Sequence, residues 1–402
     1  MKSLRGIELA QQAEDPRTEV DVRISAGLSM WWMGDLTGLG QQAQEALASA
    51  ERLRDHYWLT SALWINEVAS GLHGQWTEGR EFNERCLLIS PGDLRSRATR
   101  AFLEATVGDF AQTQFHIEPL LELRQMVETT SMLAHASAAV TLPMVARITG
   151  SDDYLEVAEE SAKVILSSRV VIPYFSMMAR AGLGLLAVLR EDSASARDQY
   201  DAIKSGTAMN VPETFMAFVR LVPSSYLTTY LTTARLLGLL AQTSGRPEQA
   251  AHHFEDALTF CRRSGQRPEL AWISFDYAKA LLEQNTDRQA LSDNREKAMS
   301  LLEEAISIAQ ELRMQPLLER ATERLEALAS PRRLAPIYPD GLTQREVDVL
   351  RLIASGKGNN DIAEELFISL RTVANHVTSI LNKIGASNRT EAAIYATRHG
   401  LD

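Results

Sequence analysis

Cysteine is nearly absent. The 402 residues contain only Cys86 and Cys261, far apart and with no C-x-x-C or Cys/His ligand spacing. This excludes a disulfide framework and a sequence-local metal cage, and predicts two reduced thiols in the core of a cytosolic protein. Long apolar runs are missing too: the longest, "LGLLAVL" at 183–189, falls far short of the roughly 20 residues of a membrane-spanning helix. The N-terminal "MKSLRGIELAQQAED" carries early positive charge but no apolar leader core. Together these predict a protein that stays in the cytoplasm and does not engage a membrane. Positive charge is short overall, 41 Lys and Arg against 52 Asp and Glu for a net −11, so any contact with nucleic acid must be local. There is no G-x-x-x-x-G-K-[ST] phosphate loop and no nucleophile, base and oxyanion pattern, so the sequence predicts no enzyme, no cofactor and no metal.

What is present is helical periodicity. Up to about residue 328 almost every segment spaces its apolar residues for a helix, and alternating stretches bounded by hairpin turns are scarce. The expected fold is all-α. One unit stands out, "ARLLGLLAQTSGRPEQAAHHFEDAL" from Ala234 to Leu258. Gly238 sits where two helices would cross closely, Gly245 starts the turn, and Ala250, Phe254 and Ala257 have the spacing that packs a second helix on the first. This unit resembles a tetratricopeptide repeat. Weaker copies are Gly34 with Leu39, Ala43 and Ala46; Gly74 with Cys86; "GDFAQTQFHIEPL" from Gly108; Ala196, Tyr200 and Ile203; and Ala298, Leu302 and Ala305. Their spacing varies from about 34 to about 54 residues, wider than a strict array keeps. Such repeats stack into a superhelix with an extended concave groove, where an unknown small-molecule or protein effector is expected to bind. An irregular helical bundle is the alternative.

Five of the six tryptophans, Trp31, Trp32, Trp58, Trp64 and Trp76, crowd into the first 80 residues. They could line an aromatic pocket, but filling helix crossings is the more ordinary use. His252 and His253 are adjacent and diverge by about 100° on a helix, which argues against one shared ion and for a solvated face.

The segment "PRRLAPIYPDG" holds Pro331, Pro336 and Pro339 and reads as a semi-rigid linker. The expected boundaries are a helical-repeat domain at 1–328, a linker at 329–340 and a C-terminal domain at 341–402. In the last of these, "LTQREV" is a capping box with Thr343 at the N-cap, Glu346 three residues on, and Leu342 and Val347 as a hydrophobic staple. The first helix buries Val347, Leu350 and Ile353 or Ala354 and ends at Gly356. A second starts near Asn360 and buries Ile362, Ala363 and Leu366. "FIS" turns the chain, and Ser369 caps a third helix with an inner stripe of Val373, Val377, Ile380, Leu381 and Ile384. Its opposite face, Arg371, Ala374, Asn375, Thr378 and Asn382, lies in a stretch with no Asp or Glu between Ser369 and Gly385. A short polar face free of acid, on the second helix of a helix-turn-helix, suits entry into the major groove.

The span from Leu342 to Leu401 resembles the LuxR-type (NarL/FixJ class) DNA-binding domain, on "LTQREVDVLRLIASG", "IAEELFISLRTVANHVTSILNKIG" and "NRTEAAIYATRHGL" in that order. The resemblance implies a four-helix domain whose third helix reads DNA and whose fourth supports dimerisation. It places Thr372, Asn375, His376 and Thr378 against DNA, with Thr343, Arg371, Lys383, Asn388 and Arg389 as backbone contacts. Ala374 stands where the family usually has Lys, and residues 340–402 hold 7 Lys and Arg against 8 Asp and Glu, so a single domain should bind weakly. In the fourth helix Ala392, Ala393 and Ala396 should face the core, leaving Glu391, Ile394, Tyr395 and Arg398 as a two-fold dimer interface. The expected partners are double-stranded operator DNA with inverted half-sites, a second copy of the chain, the repeat effector, and RNA polymerase as a further candidate. The architecture also resembles the C-terminal half of MalT-like (LAL) regulators, without their nucleotide-binding motif. The predicted function is a sequence-specific transcriptional regulator. The alternatives are a repeat scaffold with a vestigial helix-turn-helix and, more weakly, a phosphorelay response regulator.

Overall fold

The computed structural model describes residues 2–125, 132–168, 173–205, 226–228, 231–284, 288–329, 339–366 and 370–401. The chain divides into two compact units, 1–325 and 326–402. The first contains α1 (Lys2–Gln12), α2 (Pro16–Met33), α3 (Leu36–Leu53), α4 (His56–His73), α5 (Trp76–Ile89), α6 (Leu94–Val107), α7 (Phe110–Leu121), α8 (Met132–Thr149), α9 (Leu155–Ser167), α10 (Pro173–Leu189) and α11 (Ser193–Ser205). It continues through α12 (Thr233–Thr243), α13 (Pro247–Ser264), α14 (Arg267–Glu283) and α15 (Arg288–Glu311), and α16 (Gln315–Ala329) runs across the division. Before α12, β1 (Tyr226–Thr228) pairs antiparallel with β2 (Leu231–Thr232), a small sheet that helical periodicity did not anticipate. The expected linker falls mostly on residues 330–338, outside the described residues.

Helix starts and stops follow a local chemistry that repeats along the chain. Asp15, Asp35, Asp55, Asp93 and Asp109 are N-caps whose carboxylates accept backbone N–H groups of the first turn, as in the 2.8 Å bond from Gly38 to Asp35. Gly34 and Gly108 close the preceding helices in the left-handed conformation, so a Gly-Asp pair ends one helix and begins the next. Turns this short force consecutive helices into antiparallel neighbours, and α2 with α3, α3 with α4, α6 with α7, α12 with α13 and α14 with α15 pack in this way.

The crossings are made with small residues. Gly238 is as close to its partner as its position predicts, since a Cβ there would stand 2.9 Å from the Phe254 ring. Ala250, Phe254 and Ala257 are fully buried, as are Leu39, Ala43 and Ala46, and Ala298, Leu302 and Ala305. Ala196, Tyr200 and Ile203 are buried as well. Both cysteines are buried free thiols, and burial pushes the Cys86 thiol up to about 11. Helix α8 is apolar enough over 18 residues to qualify as a membrane span by length and composition, although 72% of it is buried within this unit.

Three expectations change. The groove expected to be extended is bridged by contacts from early to late helices. Trp76 Nε1 donates to Leu312 O at 2.6 Å, Gly34 lies against Phe260, and α4 touches α14. Arg320 donates from Nη1 to Arg147 O and from Nη2 to Ile148 O, each at 2.7 Å. Second, His253 is not on a solvated face: it is 9% exposed, and its Nε2 lies 2.9 Å from the Tyr200 hydroxyl on α11. Burial, then the nearby Lys204 and His252, pushes its pKa down to about 4. His252 does remain exposed. Third, the tryptophans split. Trp31 and Trp76 are buried and Trp58 packs beside a core cluster, whereas Trp64 lines a cleft and Trp32 stands 5.9 Å from Tyr174.

The tightest crossing gives a test. A Cβ on Gly182 of α10 would fall 2.1 Å from the Ala139 carbonyl oxygen of α8, and backbone cannot rotate out of the way. Gly182→Ala should destabilise unit 1 by about 1–3 kcal/mol. At Gly40, inside α3 with nothing within 4 Å, Gly→Ala should instead stabilise it by about 0.5–1 kcal/mol. All six tryptophans lie in this unit, so fluorescence-detected urea denaturation reads it alone.

Candidate nucleic-acid interface

The second unit is built from α17 (Gln344–Ala354), α18 (Asn359–Glu365), α19 (Leu370–Ile384) and α20 (Arg389–Arg398). Leu342, Val347, Val349, Leu350, Ile353, Ile362, Val373, Ile380, Ala392, Ala396 and Leu401 form its core. Val377, Leu381 and Ile384 are partly buried against that core, so the inner stripe of α19 is the one its periodicity predicts. Gly356 follows α17 at φ 83°, and α18 begins at Asn359 with Gly358 as N-cap. The Phe367–Ser369 turn and the expected Ser369 cap lie outside the described residues.

One carboxylate holds the two long helices together. Thr343 caps α17, and Glu346 closes the box by accepting from the Thr343 N–H at 2.8 Å and from its hydroxyl at 3.0 Å. The same carboxylate accepts from Ser379 Oγ and Lys383 Nζ of α19, both at 2.7 Å. Burial alone would raise the Glu346 pKa, but the Lys383, Ser379 and Thr343 donors overrule it and hold the carboxyl down at about 2. The capping box was legible in "LTQRE". The second use of Glu346 was not, because Ser379 and Lys383 are more than thirty positions away. Arg345 adds a further tie, donating from Nη2 to Leu366 O at 2.7 Å, where α18 ends.

Around this carboxylate the predicted DNA-contacting residues separate. Ala374, Thr378 and Asn382 of α19 are exposed, and Thr378 Oγ1 donates to Ala374 O at 3.0 Å. Arg371 and Asn375 share the helical register of that face, but their side chains and that of Thr372 lie outside the described residues. His376 is half-buried and Thr343 is exposed at its cap. The expected backbone contacts are engaged inside the unit: Lys383 with Glu346, Asn388 as N-cap of α20 accepting from Glu391 N at 3.0 Å, and Arg389 with Asn359 Oδ1 at 3.0 Å and with Lys357 O. In α20, Ala392 and Ala396 are buried, while Ile394 is 47% exposed. Tyr395 corrects the expectation that it faces water. It packs on the core, stacks on His399 at 4.0 Å, and donates its hydroxyl to Asp340 Oδ2 at 2.5 Å. Burial and then the Asp340 carboxylate push that phenol up to about 12. Glu391 is likewise occupied, accepting from Ser387 N at 2.7 Å and Asn388 Nδ2 at 3.0 Å.

The Glu346 pKa sets a pH dependence. A carboxyl held at about 2, below its usual 4.5, stabilises the fold fully above pH 4.5, and that contribution is lost as pH falls toward 2. Each tenfold change in proton affinity is worth about 1.4 kcal/mol, so the contribution amounts to about 3 kcal/mol. Glu346→Gln should therefore reduce amide-exchange protection in α17 and α19 at neutral pH and flatten the loss of protection between pH 4.5 and 2. Wild-type protection in the variant at neutral pH would show that the Glu346 contacts contribute nothing net.

Residues 340–396 match the family described as bacterial regulatory proteins, luxR family. The chain is 53% identical over 62 residues to the transcriptional regulatory protein LiaR of Bacillus subtilis, covering 15% of this chain and 29% of that protein. It is 47% identical over 60 residues to transcriptional regulatory protein LnrK of the same organism, 15% and 27% of the two chains. It is 38% identical over 92 residues to the response regulator protein VraR of Staphylococcus aureus, 20% and 44%. The chain thus spans less than half the length of these relatives. Residues 340–396 form a helix-turn-helix domain of the luxR family.

Proposed function

We propose that the protein is a cytoplasmic, sequence-specific DNA-binding transcriptional regulator and not an enzyme. The luxR-family match over residues 340–396 carries this reading, and the exposed, acid-free outer face of α19 supports it chemically. Residues 1–328 act as the sensing or partner-binding domain. Their tetratricopeptide character is supported by the Gly238–Phe254 crossing. Through them an effector changes operator affinity, and the operator changes effector affinity by the same factor. A scaffold with a vestigial helix-turn-helix is the second reading. It is favoured by the charge balance of residues 340–402, 7 Lys and Arg against 8 Asp and Glu, and by the internal engagement of Lys383 and Arg389.

Asn375→Ala separates the two. With an operator recovered by genome-wide mapping of bound DNA, gel shifts at several salt concentrations should show a loss of about 1–3 kcal/mol on that site and little on random DNA. Arg371→Ala should weaken both and reduce the salt slope by about one. Operator binding untouched by either change would favour the scaffold.

Dimeric binding on inverted half-sites would compensate for a weak single domain, and Ile394 is the apolar side chain that α20 leaves open to it, with Arg398 also exposed. Tyr395 is a poor place to test this, because its substitution would break core packing and the bond to Asp340. Ile394→Glu should leave the fold intact by circular dichroism and abolish cooperative binding of two chains per operator in sedimentation. Two chains bound with wild-type affinity would place the interface outside α20.

A further inference from the structure

Within unit 1 two clefts meet at Phe102 and Met144. The larger, with a cavity volume of about 60 Å³, lies between α4, α6, α8 and α10. Trp64, Phe102 and Tyr174 give it flat apolar walls, and Thr99, Ser137 and Thr141 contribute hydroxyls. Arg95 also lines it, with its guanidinium carbon 4.6 Å from the centre of the Trp64 ring. Nη2 of Arg95 donates to Asp93 Oδ2 at 3.1 Å, but its Nε is buried and has no partner among the described residues. Asp93 engages only Nη2, so the guanidinium keeps donors for an acceptor that a ligand brings into the cleft.

We infer that this cleft binds a small carboxylic acid with a flat apolar body, its carboxylate on Arg95 and its body between the Trp64, Phe102 and Tyr174 rings. The inference rests on the reading of unit 1 as a sensor and names the chemical class it senses. Carboxylate is the acceptor that best matches a guanidinium N–H. An organic cation, which aromatic walls alone would also accept, is repelled by Arg95. The Tyr174 phenol, which burial pushes up to about 12, stays protonated as a donor. The smaller cleft is a weaker candidate because its guanidiniums are already satisfied. Arg147 pairs with Asp276, and Arg235 donates to Asp276 at 2.8 Å and to Glu269 at 2.6 Å.

The test uses the full chain, with benzoate, phenylacetate and indole-3-acetate as probes and benzamide as the uncharged counterpart of benzoate. Calorimetric titration and tryptophan fluorescence should show at least one acid binding, with benzamide about tenfold weaker or worse than benzoate if benzoate is that acid. Arg95→Gln should weaken the acid about tenfold or more while leaving any benzamide binding unchanged. Should Arg95→Gln fail to unfold cooperatively, Thr141→Phe fills the cleft from α8 at a half-buried position and should abolish binding. The proposal is overturned if none of the three acids binds, or if an acid binds equally to wild type and to whichever variant folds. Operator affinity measured with and without the bound acid separates the two claims. Binding that depends on Arg95 but leaves operator affinity unchanged keeps the site and removes the sensor reading.

Discussion

Close approach between helices is the constraint on which the larger unit depends. With aromatics at 6% of the residues, the core cannot be filled by large rings spanning wide gaps, so helices must come near enough for aliphatic side chains to interlock. Gly182 lets the α10 backbone settle on the Ala139 carbonyl, Gly238 accepts the face of Phe254, and alanines at 43, 46, 250, 257, 298 and 305 are fully buried at similar seams. These small residues also made the array legible, because a small residue recurring at helical spacing with a Gly-Asp turn beside it is a local signal. Helix existence and pairing followed from such signals.

The ties between distant helices were not local and could not be read. Asp276 on α14 accepts from Arg147 of α8 and Arg235 of α12, while Glu269 accepts from Arg235 and from the Thr232 N–H at 2.9 Å. Burial raises Glu269, whereas for Asp276 two guanidiniums outweigh the same burial and lower its pKa. Arginines interspersed along amphipathic helices look in sequence like ordinary solvated faces. Only the fold shows that Arg147 and Asp276, 129 positions apart, form a buried pair. Removing one partner of such a pair strands a buried charge, a loss of about 3–5 kcal/mol, so the network fixes which helices meet even where its net contribution is small. His253 was misread for the same reason: its partner Tyr200 belongs to a different helix pair.

In the smaller unit the balance between local and distant signals is reversed. Its four helices, the Thr343 cap and the inner stripe of α19 were legible from the sequence, because a domain this short must concentrate capping boxes, staples and stop glycines in few positions. What escaped was the internal use of its polar groups. Lys383 and Arg389 read from sequence as free cations, and Tyr395 as a free ring, because their partners Glu346, Asn359 and Asp340 are 30 to 55 positions away.

That internal use bears on how such a unit can recognise DNA. Non-specific affinity grows with the number of phosphates neutralised by mobile cations. Here Lys383 and Arg389 are held inside the unit, and Ala374 offers none. In the proposed function the engaged cations act on recognition indirectly. Lys383 and Ser379 fix α19 to the capped start of α17 through Glu346, so the outer face of α19 is presented at a set angle rather than on a loose helix. Rigid presentation reduces the ordering lost on binding, which favours base-edge contacts over general attraction. On the function proposed above, a unit built this way would gain discrimination at the expense of single-site strength, and a second copy on an adjacent half-site would restore strength without adding charge.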